Sequence, residues 1–374
     1  MKADILTIHF GVNYGSALQS YALSRILEQL NVRTEVIDYI PLKYGMWNEF
    51  SSNKKGNYPL AVIAAAFIFK FPSKYRHRKI FEKFLRKNLN LTKVYHTNAE
   101  LKAEPPQSDL YIVGSDQVWN FDYNESGDFT YFFDFLPSAS RKISYAASIG
   151  KTSLSNNERE CIKKYLSEFS GVSLREDYST ELLNSMGIQS NHVLDPTILL
   201  SEHEWNHFAK RRKHKDSYIL IYVMDYLYHD LIDIAEKISK QFDYKIYMIA
   251  FKRIKDKRVD KQFIYADPQE FLDLFLNASY VVTNSFHGVA FSVNFNKQFC
   301  AVAKENYNIR IQSLLRMMEI EGHFVSSVSE FDIRHKIDYS NVNRILAEQR
   351  TNSLDYLKKF CKNTDKVKGD AVQI

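Results

Sequence analysis

The sequence predicts an α/β protein made of two Rossmann-like domains whose parallel sheets face each other across a cleft. Three observations lead there. Short apolar runs alternate with longer amphipathic segments, which is how βαβ units around parallel sheets read. The alternation comes in two series, separated by a polar, basic stretch that ends near Lys215. The chain also has 374 residues, enough for two domains with a core each.

The first series opens with the strand Ile5 to Phe10, a glycine-bearing turn from Gly11 to Gly15, and a helix from Ser16 to Leu30 with apolar residues at helical spacing. Further strands are expected at Thr34 to Ile40, Leu110 to Val113, Ile143 to Ala147, Val172 to Leu174 and His192 to Leu194. Asp195-Pro196-Thr197 interrupts the pattern, and the first domain is placed at residues 1–200. The second series runs through Tyr218 to Val223, Lys245 to Ala250, Tyr280 to Thr283 and Phe299 to Val302, giving a domain at 215–345. Residues 346–374, with a helix around Ser353 to Lys362, are expected to pack back on the first domain. Two such sheets bind ligands where the C-terminal ends of their strands meet.

Composition narrows the function classes. An apolar fraction of 45% with 25% charged residues is that of a soluble globular protein. The net charge of +6 permits anionic ligands or an anionic membrane surface without calling for nucleic acid, and no nucleic-acid partner is expected. Three scattered cysteines, Cys161, Cys300 and Cys361, suit reduced thiols in a cytoplasm better than a disulfide framework. The N-terminus runs into a strand without signal-peptide architecture, so the expected location is cytoplasmic.

The most informative stretch is Thr283-Asn284-Ser285-Phe286-His287-Gly288, a polar turn between the run Tyr280-Val281-Val282 and the helical segment Val289 to Phe295. A helix start favours anions, and His287 can move protons near neutral pH. A histidine that only caps the helix or packs in the core is the plainer reading. His203-Glu204-Trp205-Asn206-His207 fits the zinc-protease spacing H-E-x-x-H, but Ser201 and Glu204 make a capping box and no third ligand follows, so no metal is expected. Residues 60–87 join a ten-residue apolar run, too short to span a bilayer, to a basic helix. Either an amphipathic helix pair packs on the first domain, or this segment makes peripheral contact with the inner face of a membrane.

Five motifs, in order, resemble the polysaccharide pyruvyl transferase family. Asn13-Tyr14-Gly15 with Leu18 to Leu23 is similar to its opening strand–loop–helix, and Gly114-Ser115-Asp116-Gln117-Val118-Trp119-Asn120 to its central motif. Ser173-Leu174-Arg175-Glu176, Leu194-Asp195-Pro196-Thr197 and Asn284-Ser285-Phe286-His287-Gly288 complete the series. The resemblance implies a GT-B-like architecture. It also implies transfer of the pyruvate group of phosphoenolpyruvate onto a sugar of a bacterial surface polysaccharide, or of its lipid-linked precursor, as a ketal with release of phosphate. Phosphoenolpyruvate would be the donor substrate, with no cofactor. Some members carry arginine where this chain has Ser285, so one donor-binding cation is missing from the turn. A nucleotide-sugar glycosyltransferase on the same architecture and a non-catalytic glycan-binding relative remain the alternatives.

The donor's carboxylate and phosphate require guanidinium or ammonium groups and N–H donors. Arg175, at the end of a predicted strand, is the first candidate, against an ion pair with Glu176 or Asp177. Asn284, Ser285 and Gly288 of the turn join it, with Lys252, Arg253 and Arg310 as replacements for the cation lost at Ser285; Lys304 is a further candidate. His287 is assigned acid–base work on the donor, and Asp116 the orientation or deprotonation of an acceptor hydroxyl, unless it merely caps the next helix. Asn13, Tyr14, Gly15, Trp119 and Asn120 are the expected acceptor contacts, Trp119 by stacking on a sugar face or, on the plainer reading, by packing.

Overall fold

A computed structural model describes residues 1–44, 60–123, 128–212, 214–224, 228–303 and 308–362, with the backbone alone for 60–71. Runs of β-branched and aromatic residues form the strands, and every described pairing is parallel. In the first domain β1 (Lys2–Leu6), β2 (Arg33–Tyr39), β3 (Leu91–Tyr95), β4 (Leu110–Val113) and β5 (Lys142–Ser144) make a sheet of order β3-β2-β1-β4-β5. The pair β6 (Ser173–Leu174) and β7 (Asn191–His192) continues it through bridges from Ile143 to Gly171 and from Ala147 to Leu174. In the second domain β8 (Tyr218–Tyr222), β9 (Lys245–Ile249), β10 (Lys261–Phe263), β11 (Tyr280–Thr283), β12 (Phe299–Val302) and β13 (Phe324–Val325) are ordered β10-β9-β8-β11-β12-β13. The central strands β4, β8 and β11 are buried at every residue, as strands covered on both faces must be. Two Rossmann-like domains result, as the alternation predicted.

Each sheet reverses its strand order once, between β1 and β4 in the first domain and between β8 and β11 in the second. Such reversals leave a crevice at the C-terminal strand ends. The residues that follow these four strands are Thr7 to Phe10, Gly114 to Asp116, Val223 to Met224 and Asn284 to His287.

The first strand is shorter than its apolar run. It ends at Leu6, because Thr7 turns its hydroxyl to the carbonyl of Ser115 (2.8 Å) and the His9 amide closes back on Thr7 (3.0 Å). Gly11 then takes a φ of +91°, a conformation that favours glycine. Asn13 is the N-cap of the helix Tyr14–Gln29, its side chain accepting from the Ser16 amide at 3.3 Å, so Tyr14 and Gly15 form a first helical turn where a loop was expected. Residues 60–88 form one helix in place of the expected pair, and Phe81, Phe84 and Leu85 bury its C-terminal half. The side chains of its apolar start lie outside the described residues. No helix among the described residues is long and apolar enough to cross a membrane.

One apolar core runs through both domains. Tyr14 of the first domain stacks on Phe271 (4.5 Å between centroids) and Phe251 (5.6 Å) of the second, and its hydroxyl donates to the carbonyl of Ala266 at 2.8 Å. Burying such a ring stabilises by about 4 kcal/mol. The last helix, Tyr339–Cys361, joins the halves again. Tyr356 donates to the carbonyl of Ser144 (2.9 Å), Ser353 accepts the Leu194 amide (3.0 Å), and Arg350 reaches Asn294 of the second domain (2.7 Å).

Candidate functional site

The two crevices face one cavity of about 720 Å³. Asn13, Ser16, Asp116 and Gln117 line it from the first domain, and Met224, Asn284, Ser285, His287 and Arg310 from the second. Phe10, Tyr44, Tyr123 and Phe251 add aromatic wall. Lys74, His77 and Arg78 of the helix Leu60–Asn88 bring basic groups from the same helical face.

Beneath the cavity lies a buried charge cluster. Asp116 follows β4 with a φ of +72°, so its carboxylate turns back toward the helix Tyr14–Gln29, where it accepts the Ser16 hydroxyl at 2.8 Å. Its other oxygen is 3.6 Å from the Arg175 guanidinium. Arg175 donates to Asp195 at 2.9 Å, lies 3.4 Å from Glu176, and rests on the Phe286 ring of the second domain, 4.3 Å from its centroid. Asp195 also accepts the Ser115 hydroxyl (2.9 Å), and its Oδ2 stands 4.0 Å from His287 Nε2.

Burial pushes the carboxyls of Asp116 and Asp195 up, but Arg175 and His287 outweigh it and hold both below the usual carboxylate range. Both therefore stay ionised at neutral pH. Burial pushes His287 down to about 4; Asp195 and Asp116 oppose that shift, and Arg175 and Arg310 reinforce it. Arg310 is itself pushed down by burial and then by neighbouring Arg175. Two guanidiniums sharing a buried site repel each other unless an anion lies between them.

Three buried nitrogens at this place have no hydrogen-bond partner among the described residues: Nη2 of Arg175, Nε of Arg310 and Nε2 of His287. Buried polar atoms are seldom left so. They surround the start of the helix Phe286–Asn294, whose N-cap Ser285 makes no side-chain cap bond. Helix dipole, two cations and unused nitrogens together describe an anion site.

The expected residues divide sharply. Asp116, His287, Asn284, Ser285, Arg310 and Asn13 line the cavity, and Arg175 lies directly beneath them. Gly15 serves indirectly, because a Cβ on it would fall 1.9 Å from Nδ1 of His287. Gly288 packs on Thr283, where a Cβ would lie 2.3 Å from Oγ1. Asp116 caps no helix among the described residues: turns follow it, and its Oδ1 accepts the Gln117 amide at 2.9 Å. Lys252 and Arg253 are exposed and do not line the cavity. Lys304 lies outside the described residues.

Three acceptor expectations need correction. Trp119 is wholly buried, its indole donating to the carbonyl of Tyr131 (3.1 Å) and stacking on Phe132, so it is core and presents no face to a sugar. Asn120 is equally buried and donates to Gln117 at 2.8 Å. Tyr14 is spent on the domain junction. The aromatic wall falls instead to Phe10, Tyr44, Tyr123 and Phe251, which carry no motif and reach the cavity only through the fold. Glu204 closes its capping box with Ser201 (2.8 Å), as the sequence suggested, and the described residues hold no cluster of three metal-ligating side chains.

The fold is similar to that of the S. aureus MnaA–UDP co-structure, at a TM-score of 0.52, 12% identity, and coverage of 96% of this chain and 91% of that one. It is similar to a UDP-N-acetylglucosamine 2-epimerase at 0.51 and 10%, covering 96% and 90%. The glycosyltransferase SnogD of Streptomyces nogalater aligns at 0.45 and 10%, covering 97% and 98%. The first two likenesses speak to the fold, which is GT-B-like. No curated protein matches the chain. Residues 13–306, a span that opens at the Asn13 cap and takes in Asp116, Arg175, Asp195 and His287, match the family described as polysaccharide pyruvyl transferase. The chain belongs to the polysaccharide pyruvyl transferase family and is a transferase.

Proposed function

We propose that the protein transfers the pyruvate group of phosphoenolpyruvate onto two hydroxyls of a surface-polysaccharide sugar, as a ketal. The observation that carries this reading is the set of three unpartnered buried nitrogens on Arg175, Arg310 and His287 beside an uncapped helix start. A small molecule with two acidic groups suits that set. Arg310, which lines the same cavity as Ser285, supplies the cation that the turn lacks.

The reaction needs a proton on the donor's methylene carbon, which becomes methyl. One acceptor hydroxyl then adds to the neighbouring carbon. The second hydroxyl displaces phosphate there, closing the ketal. Of the two hydroxyl protons given up, one balances the methyl and the other leaves with phosphate. His287 delivers the first proton. It is neutral in the unoccupied site, and a phosphate dianion beside it favours its charged form. Asp116, ionised and already accepting a hydroxyl from Ser16, is placed to accept one from the acceptor. The sugar ring lies against the aromatic wall. A lipid-linked acceptor and cytoplasmic action at the inner membrane face fit the basic residues of the helix Leu60–Asn88 that reach the cavity.

Calorimetry tests this directly. Phosphoenolpyruvate should bind with uptake of a proton near pH 7.5, seen as a dependence of the heat on buffer ionisation enthalpy. Absence of binding at millimolar donor would sink the reading. Gly15→Ala should displace the imidazole and lower phosphate release about 10²-fold, with donor and saccharide both present.

A further inference from the structure

We propose that Asp195 is a positioning residue of this site, one carboxylate oxygen both fixing the Arg175 guanidinium and facing the His287 imidazole across the domain boundary. The inference rests on the pyruvyl-transfer reading for the reaction served, though not for the geometry. Asp195 is 2% exposed and does not line the cavity, so it acts only through its neighbours.

Its plainest role is to cap the short helix Pro196–Leu199. Oδ1 does that alone, accepting the Thr197 amide (2.9 Å) and hydroxyl (2.7 Å). A cap needs no more, and asparagine serves as well as aspartate there. Oδ2 faces away from the cap. It takes Arg175 Nη1 and the Ser115 hydroxyl, each at 2.9 Å, and points to His287 Nε2 at 4.0 Å. Those groups arrive from three places in the fold: the loop after β4, the end of β6, and the first turn of the second domain's helix Phe286–Asn294. An uncharged cap would explain none of these contacts.

The charge has two consequences. It keeps Arg175 ionised and aimed in a site where burial opposes ionisation. It also favours protonated His287, whose other charged neighbours are Asp116, which favours the proton, and Arg175 and Arg310, which oppose it. Without Asp195 the two guanidiniums would face the imidazole with Asp116 alone in opposition. The acid would then be harder to charge when donor arrives.

Asp195→Asn in the full chain tests the proposal, because asparagine keeps the cap and removes the charge. In imidazole-labelled protein, the His287 resonance should titrate about one pH unit lower than in the parent. The alkaline limb of kcat should move the same way, since an acid of lower pKa loses its proton sooner. The Kd for phosphoenolpyruvate should rise about tenfold. An unchanged His287 titration and donor affinity, with only a lower melting temperature, would leave Asp195 a cap and overturn the proposal. Should the single variant not fold, Arg175→Gln/Asp195→Asn restores an uncharged hydrogen-bonded pair. In that pair the His287 resonance should still titrate below its position in Arg175→Gln alone, and an unchanged titration would contradict the action of Asp195 on the imidazole. If the parent binds no phosphoenolpyruvate, the pyruvyl-transfer reading fails, while the His287 titration still decides the role of Asp195.

Discussion

Arg175→Met should lower the stability of the fold by about 3–5 kcal/mol, measured by urea unfolding, and abolish donor binding. The guanidinium is the shared partner of Asp195, Asp116 and Glu176, all of them buried. Removing it leaves those carboxylates charged in a site with little water, and Arg310, which has no described ion pair, does not replace its contacts. Methionine fills much of the volume, so the loss reports charge more than a cavity. Arg175→Lys should recover part of the stability but little donor affinity. An ammonium cannot hold Asp195 while presenting a second N–H to the ligand, as the planar fork does. A stability change under about 1 kcal/mol for Arg175→Met would show the cluster to be far better hydrated than its burial indicates.

His287→Gln should lower kcat for pyruvyl transfer about 10²–10⁴-fold, because glutamine cannot deliver the proton. Donor Kd should change much less. The same variant has a second readout. His287 titrates near 4 when folded, against about 6.5 in an unfolded chain, so the folded state stays neutral while the unfolded one takes up a proton. The stability it lends is complete above pH 6.5 and is lost as pH falls toward 4, by roughly 3 kcal/mol over that window. The variant should therefore lose less melting temperature than the parent between pH 7 and pH 4.5. Equal acid sensitivity would mean the imidazole is not buried as described.

His287 was legible because it follows a strand whose apolar run is unmistakable, and Arg175 because it follows the shorter stretch Val172 to Leu174. The central strands and the two-domain alternation were legible for the same reason. Edge and terminal strands were not. β3 carries exposed Lys93 and Val94, β10 opens on exposed Lys261, and β13 has two residues, so none shows a buried run. The wall of the cavity was less legible than its floor. Phe10 reads as strand until Thr7 turns out of the sheet, and Lys74 and Arg78 read as a basic helix face until that helix is laid against the cleft. Trp119 shows the opposite error. Its motif drew attention to the side chain, but the positive φ of Asp116 turns the aspartate toward the cavity while the indole goes to the core. Asp195 read as an interruption of the pattern; Ser115 and Arg175 reach its Oδ2 only in three dimensions.

Tyr14 has a consequence for how such enzymes diversify. Its ring belongs to one half by sequence and to the other by packing, and the last helix threads back across both. Exchanging one half alone would have to preserve this aromatic junction, so the two halves are not freely interchangeable parts. On the proposed reading, new acceptor specificity would come from changes in the aromatic wall, at positions such as Tyr44 and Tyr123, with the junction held constant.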